Sequence, residues 1–411
     1  MQNIPDGAVR VLIGGDVSTH YSKHHCLTDA AYARTLFSEL RPYLDAADFR
    51  LCNLENVICE EGLGAPIIKC GPNLRGEPEE MGFLTEGGFD CAFLANNHLG
   101  DLGPEPVLDT IRRLDEAGIG HCGGGANLEE AYRAWYAEKD GLKIAFISVC
   151  ENEFGGAEAD FPGSAGYNEM TVRRRIVEER AKADFVVIIF HGGQEHNPVA
   201  SPSAIDRYRL FTVFGADAVV AMHTHCIQGT EIYDGKPIIY SMGNFYFNGY
   251  HKESAPGTAI YPSESPWNYG YMTELFFEKG KPVTYRLIPY HLEDEGRLLH
   301  VYEGEDKATM LAYIDKLSAI IQDPVATQRF YDAWCTRNGI AHLKYFPGVR
   351  DEHITSREDA VVRQCALIRN LHTCEAHCAM ITRAAHLMYK GKLQEAAEAL
   401  PELDALKKMP L

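Results

Sequence analysis

The sequence predicts an α/β protein, because short apolar, β-branched runs alternate with amphipathic stretches long enough to be crossover helices. A second observation bears on function: five of those runs end on residue types that bind metal. The third is a change of rhythm near residue 303, where strand signals give way to helical periodicity.

The strand runs are Val9 to Ile13, Phe49 to Cys52, Phe89 to Leu94, Ile144 to Val149, Phe185 to Phe190, Ala218 to Ala221 and Pro237 to Tyr240. Their near-continuous apolar character is that of strands buried on both faces. Helical spacing falls between them at Asp29 to Leu40, Pro104 to Ala117, Ala126 to Trp135, Met170 to Ala181 and Ser203 to Phe214. Tyr271 to Glu278 and Val283 to Tyr290, separated by Lys279-Gly280-Lys281-Pro282, form a hairpin signal. No repeat or low-complexity linker divides the first 300 or so residues. The chain therefore divides into one domain over 1–302 and a helical region over 303–411, with helical runs around Met310, Ala360 and Ala376.

The chain has 411 residues, is 45% hydrophobic, and carries 39 Lys and Arg against 58 Asp and Glu, a formal charge of −19. That balance excludes broad binding to nucleic acid or anionic membrane, which requires a basic surface to displace counterions. An anionic substrate, small or polymeric, needs positive charge supplied locally, as by bound metal. No apolar run reaches the roughly 18 residues of a membrane span, and Met1 to Gly7 has neither the basic start nor the apolar middle of a secretory signal. The expected location is the cytoplasm, without membrane insertion. The 12 cysteines are scattered, several inside apolar runs, and read as reduced thiols.

The chemistry is concentrated at strand ends. Val11-Leu12-Ile13-Gly14-Gly15 runs into Asp16, and Arg50-Leu51-Cys52-Asn53-Leu54 into Glu55. Later runs deliver Asn97 with His98, then His191, then His223 with His225. In α/β sheets the carboxyl ends of the strands face the pocket, so residues distant in sequence converge there on rigid supports. Two carboxylates, three imidazoles and an amide oxygen make a mixed N/O set suited to two divalent ions of Zn, Mn, Fe or Ni. Two ions about 3.5–4 Å apart, bridged by a carboxylate, suit a hydrolase. His98, free of metal, is a candidate for proton transfer.

Any one of these residues alone reads more simply. Asp16 and Glu55 could cap turns, Asn96-Asn97 could be a turn, and His191 a satisfied core histidine. The shared placement on five strand ends is what favours ligation. Lys69 and Arg75 flank a loop placed to reach an anionic substrate, and Glu195 is a further candidate substrate contact. Gly120 to Gly125 looks like a phosphate cradle, but Asn127 and Glu130 form a capping box directly after it, and a structural turn is the better reading. His372, Cys374, His377 and Cys378 lie in a helical run whose spacing matches no zinc finger, so packing is expected there.

In order, Gly15-Asp16, Asn53-Leu54-Glu55, Ala95-Asn96-Asn97-His98, Phe190-His191-Gly192-Gly193-Gln194-Glu195, His223-Thr224-His225 and Tyr240-Ser241-Met242-Gly243-Asn244-Phe245 resemble the CapA family, linked to bacterial capsule and poly-γ-glutamate synthesis. The resemblance spans roughly residues 9–250. It implies a four-layer αββα sandwich of the metallophosphoesterase type, to which the helical C-terminal region is appended. It further implies that Asp16 and His225 hold one ion, that Asn97, His191 and His223 hold the other, and that Glu55 bridges them. His98 matches the position of the catalytic histidine, and Lys69 a basic position common in the family. The chain departs from the wider superfamily where Asp16-Val17-Ser18 replaces an Asp-x-His pattern, with His20 two residues on. The function implied is hydrolysis of a phosphoester or a γ-glutamyl-type linkage. The alternative is a non-catalytic, metal-binding assembly factor for polymer synthesis.

Overall fold

Val9–Ser18 is a strand because its β-branched and aliphatic residues find apolar partners on both sides. Val11 and Ile13 face one apolar cluster, while Leu12 and Val17 face another. The structure is a computed structural model and describes residues 5, 7–20, 30–247, 261, 264–293, 297–344 and 358–411.

Val9–Ser18 lies near the middle of the first sheet. The strand order is Leu298–Val301, Thr284–Glu293, Tyr269–Phe277, Val9–Ser18, Phe49–Leu54, Cys91–Phe93 and Gly120–Cys122, and Asn244–Phe247 pairs in parallel with the far end of Val9–Ser18. The second sheet runs Thr230–Tyr233, Lys236–Ile239, Ala218–Met222, Phe185–His191, Leu142–Cys150 and Trp135–Lys139. Its inner strands are parallel and its two edges antiparallel.

The inner faces meet through Val11, Ile13, Leu51 and Phe93 from one sheet and Ile144, Phe146, Val187, Ile189 and Val220 from the other. Helices Ala30–Leu36, Gly82–Gly87 and Pro104–Glu116 cover the outside of the first sheet through Leu36, Leu84, Val107 and Leu114. Helices Glu169–Arg180 and Pro202–Phe214 cover the second through Val172, Ile176, Tyr208 and Phe211. Each such side chain contributes about 1.5–3 kcal/mol on burial. The result is four layers, helix, sheet, sheet and helix.

The change from strand to helix falls at residue 303, where Gly304–Gln322 begins. Helices Gly304–Gln322, Pro324–Trp334, Glu375–Tyr389 and Leu400–Leu406 add Ile314, Trp334, Met380 and Leu403 to the apolar cluster that fills the space between the sheets. The C-terminal helices therefore pack onto the sandwich and share its core.

Two local expectations change. The helical stretch Ala126 to Trp135 shortens to Leu128–Ala131, capped by the Asn127 side chain accepting from Glu130 N at 3.0 Å. Trp135 instead opens the edge strand Trp135–Lys139 and packs edge-on against Phe49. The helix expected to reach Leu40 ends at Leu36, and a second starts at Arg41 with Pro42 in its first turn. Asp29, the expected start, lies outside the described residues. Gly120–Cys122 is a sheet-edge strand and Gly124–Gly125 pairs with Gly163–Ser164, so most of the glycine run expected to be a turn is paired strand.

Gly15 marks the tightest approach in the first sheet. A Cβ there would lie 2.1 Å from the carbonyl oxygen of Gly243, which leads into Asn244–Phe247. Gly15→Ala is expected to cost roughly 1–3 kcal/mol, read as a lowered urea midpoint. An unchanged midpoint would show that the two strands separate freely.

Candidate metal centre

Asp16, Glu55, Asn97, His191, His223 and His225 all lie at or just beyond the carboxyl ends of parallel strands in the two sheets, and all are buried. The structure brings these six sequence-derived residues into one site, with His98 beside them.

Asp16 is held from two directions. Its Oδ1 accepts from Asn53 Nδ2 and its Oδ2 from the backbone N–H of His223, both at 2.8 Å. Burial alone would raise its pKa, but the bond with His191 and the nearby His225 hold it below its ordinary value. Glu55 is the opposite case. Burial, and then the charge of Asp16, push its carboxyl well above the ordinary range. Both of its oxygens are buried without a hydrogen-bond partner among the described residues. An unsatisfied buried carboxylate is costly enough to require explanation, and a bound cation is the ordinary one.

Donor atoms converge around Glu55 in two groups. His191 Nε2 lies 3.0 Å from His223 Nδ1, 3.1 Å from Asn97 Oδ1 and 3.6 Å from Glu55 Oε1. Ligands about 2.0–2.1 Å from a tetrahedral ion sit roughly 3.3 Å apart, so this group matches the spacing of a coordination shell. The second group is Asp16, Glu55 and His225, with His225 Nε2 3.6 Å from Glu55 Oε1. Glu55 belongs to both. Burial, with the neighbouring imidazoles, keeps His223 well below its ordinary pKa, in the neutral form a metal requires.

The backbone is strained where His223 and His225 leave the second sheet. His223 and His225 hold φ of 95° and 52°, a left-handed region that costs non-glycine residues about 1–3 kcal/mol each. His225 Nδ1 lies 2.8 Å from Asn244 Oδ1, and its ring rests 4.5 Å from that of Trp267. Ser18 stands where the superfamily pattern has histidine. His20 Nδ1 accepts from Arg75 N at 2.8 Å, which directs it to that loop.

His98 sits on a buried polar cluster. Its Nδ1 lies 2.7 Å from Asp101 Oδ2 and 3.0 Å from Lys69 Nζ. Burial, and then the Lys69 charge, push its pKa down to about 4. Lys69 pairs with Asp101 and donates to Asn97 O at 3.2 Å, and its side chain is 1% exposed. Lys69, expected as a substrate contact, thus has its ammonium enclosed beneath His98. Glu195 stands exposed at a cleft of about 510 Å³ that His98, Asn97, Glu153, His196 and, from the C-terminal helices, Trp334, His377 and Lys407 also line.

Sequence reasoning missed four supporting residues. Asn53 braces Asp16, and Asn96 accepts from the N–H groups of His98 and Leu99 at 3.1 and 2.9 Å, fixing the turn that presents Asn97 and His98. Asn244 orients His225, and Asp101 orients His98. Asn53, Asn96 and Asn244 each sit inside a quoted motif, which was the available signal. Asp101 follows His98 by three residues and carried none.

The family model described as bacterial capsule synthesis protein PGA_cap matches residues 10–249. A capsule biosynthesis protein CapA of Bacillus anthracis is 29% identical over 220 residues, covering 52% of this chain and 54% of the relative. A PGA biosynthesis protein CapA of Bacillus subtilis (strain 168) is 27% identical over 225 residues, covering 54% and 59%. The matches thus span little more than half the length of these relatives. Among solved structures, a 5'-nucleotidase from Candida albicans SC5314 has 11% identity and a TM-score of 0.42 over 80% of this chain and 57% of that one. The chain belongs to the bacterial capsule synthesis PGA_cap family.

Proposed function

We propose that the chain is a metal-dependent hydrolase in capsule or poly-γ-glutamate metabolism, acting on an anionic substrate through a phosphoester or γ-glutamyl-type linkage. The observation that carries this reading is Glu55, a buried carboxylate with both oxygens unpartnered, shared by two groups of metal-ligating atoms.

Asp16, Glu55 and His225 would hold one divalent ion, and Glu55, Asn97, His191 and His223 the other. Such ions, when bound, supply Lewis acidity and lower the pKa of a nucleophilic water at neutral pH. The protein's own contribution is orientation. Asn53 and the His223 N–H fix Asp16, and Asn96 fixes the turn carrying Asn97 and His98. His98, kept neutral by burial and by Lys69, is set by Asp101 to exchange a proton with the reacting group at the cleft. The C-terminal helices wall the cleft with Trp334, Met380 and Lys407, offering apolar contact and one cation to a substrate.

The test is elemental analysis of purified protein together with turnover of phosphodiester and γ-glutamyl substrates. Two ions per chain and a turnover lost by about 10²–10⁴-fold in His98→Ala support the reading. Bound ions without turnover on either substrate class would replace it with a binding or assembly role.

A further inference from the structure

We propose that Glu153, Cys374 and His377 form a further divalent-metal site that clamps the C-terminal helices to the rim of the catalytic cleft. The three residues offer a carboxylate oxygen, a sulfur and an imidazole nitrogen, all within 4.8 Å of one another. They come from two distant parts of the chain, Glu153 just after the strand Leu142–Cys150 and the other two at the start of helix Glu375–Tyr389. The spacing of Cys374 and His377 inside a helical run pointed to packing; the third donor lies more than 200 residues away.

A second observation points to a cation. The Glu153 side chain is 9% exposed, and among the described residues it forms no ion pair with lysine or arginine. Its neighbours are Cys374 Sγ at 3.8 Å, Asn97 Nδ2 at 3.5 Å and His223 Nε2 at 3.7 Å. Glu151 nearby is already neutralised by Arg207 Nη1 at 2.7 Å, and Glu375 accepts from Asn152 N at 3.0 Å. Among the described residues, Glu153 alone of these three carboxylates has neither a lysine or arginine counter-ion nor a backbone N–H donor. Glu153 and His377 both line the 510 Å³ cleft, which gives an ion its path of entry.

A mixed S/N/O set with one position open to the cleft suits a zinc-like ion, which prefers a thiolate and an imidazole to the all-oxygen sets of magnesium or calcium. Binding forms bonds from the ion to Sγ, the imidazole and the carboxylate, and the Cys374 thiol proton leaves to solvent. Because Glu153 also approaches His223, the clamp would orient a ligand of the neighbouring centre while fastening the helix above it. This inference does not depend on hydrolysis at that centre.

The experiment loads the full chain with cobalt(II) and follows the near-ultraviolet sulfur-to-cobalt charge-transfer band, with metal content measured in parallel. The wild type should show the band. Cys374→Ser should lose it together with about one equivalent of ion, and His377→Asn should weaken cobalt binding at the same site, with unchanged circular dichroism in each. His191→Asn should keep the band while losing active-site metal. A cobalt-loaded wild type without the band, a band surviving Cys374→Ser, or a band lost in His191→Asn would each overturn the third site. A wild type that shows the band but holds only about one equivalent of ion would instead count against the two-ion reading alone.

Discussion

Glu55→Ala is expected to empty both active-site positions at once and to lower turnover by on the order of a thousandfold or more, the consequence of losing several kcal/mol of metal-derived stabilisation. Asp16→Ala and His223→Ala touch one group each and should each remove about one ion, so the shared carboxylate has the larger effect. The stability readout runs the other way. In metal-free protein the buried Glu55 carboxyl has no hydrogen-bond partner among the described residues, so Glu55→Met should raise the metal-free melting temperature by the equivalent of about 1–3 kcal/mol. Metal-loaded wild type should exceed the metal-free wild type by about 4 kcal/mol at a thousandfold excess of ion over its dissociation constant, and so still melt above Glu55→Met. Parallel thermal melts with and without chelator decide the matter. If Glu55→Met melts lower than wild type in chelator, the carboxyl has partners that make it stabilising without metal.

The convergence of the candidate ligands was legible because each stands at or shortly after the end of an apolar run, and such runs become parallel strands whose carboxyl ends meet. Asp16 and His223 are 207 residues apart, yet the His223 N–H donates to the Asp16 carboxylate. What failed was local. Asp140-Gly141 and Asp234-Gly235 both join antiparallel neighbours, with φ of 51° and 75° in the first and 50° and 74° in the second. These are the positive angles of a type I′ hairpin turn, and Asp-Gly is among its strongest sequence signals. Neither was read, and one edge strand, Trp135–Lys139, was absorbed in part into a helix. The tertiary packing of Trp135 on Phe49 outweighed the helical spacing of the preceding residues. The roles of Lys69 and Asp101 were illegible for a different reason. A basic residue in a glycine- and proline-containing loop looks solvent-facing, and only the folded chain shows that it is enclosed.

Lys69 and Asp101 give the second large expected effect. Both side chains are at most 1% exposed, and Asp101 also accepts from Leu74 N at 2.6 Å while its Oδ2 holds His98. Asp101→Ala leaves an ammonium buried without its counter-ion, and the expected cost is about 3–5 kcal/mol. The double variant Lys69→Met, Asp101→Leu removes both charges and should recover most of that loss, because a buried pair replaced by apolar groups is often neutral. Activity should not recover. His98 in the double variant lacks the acceptor that fixes its ring, and turnover is expected to stay down by on the order of a hundredfold with metal content unchanged. Stability and activity therefore separate in the double variant. If turnover returns together with the urea midpoint, the cluster beneath His98 serves folding alone, and the orientation of the histidine is set elsewhere.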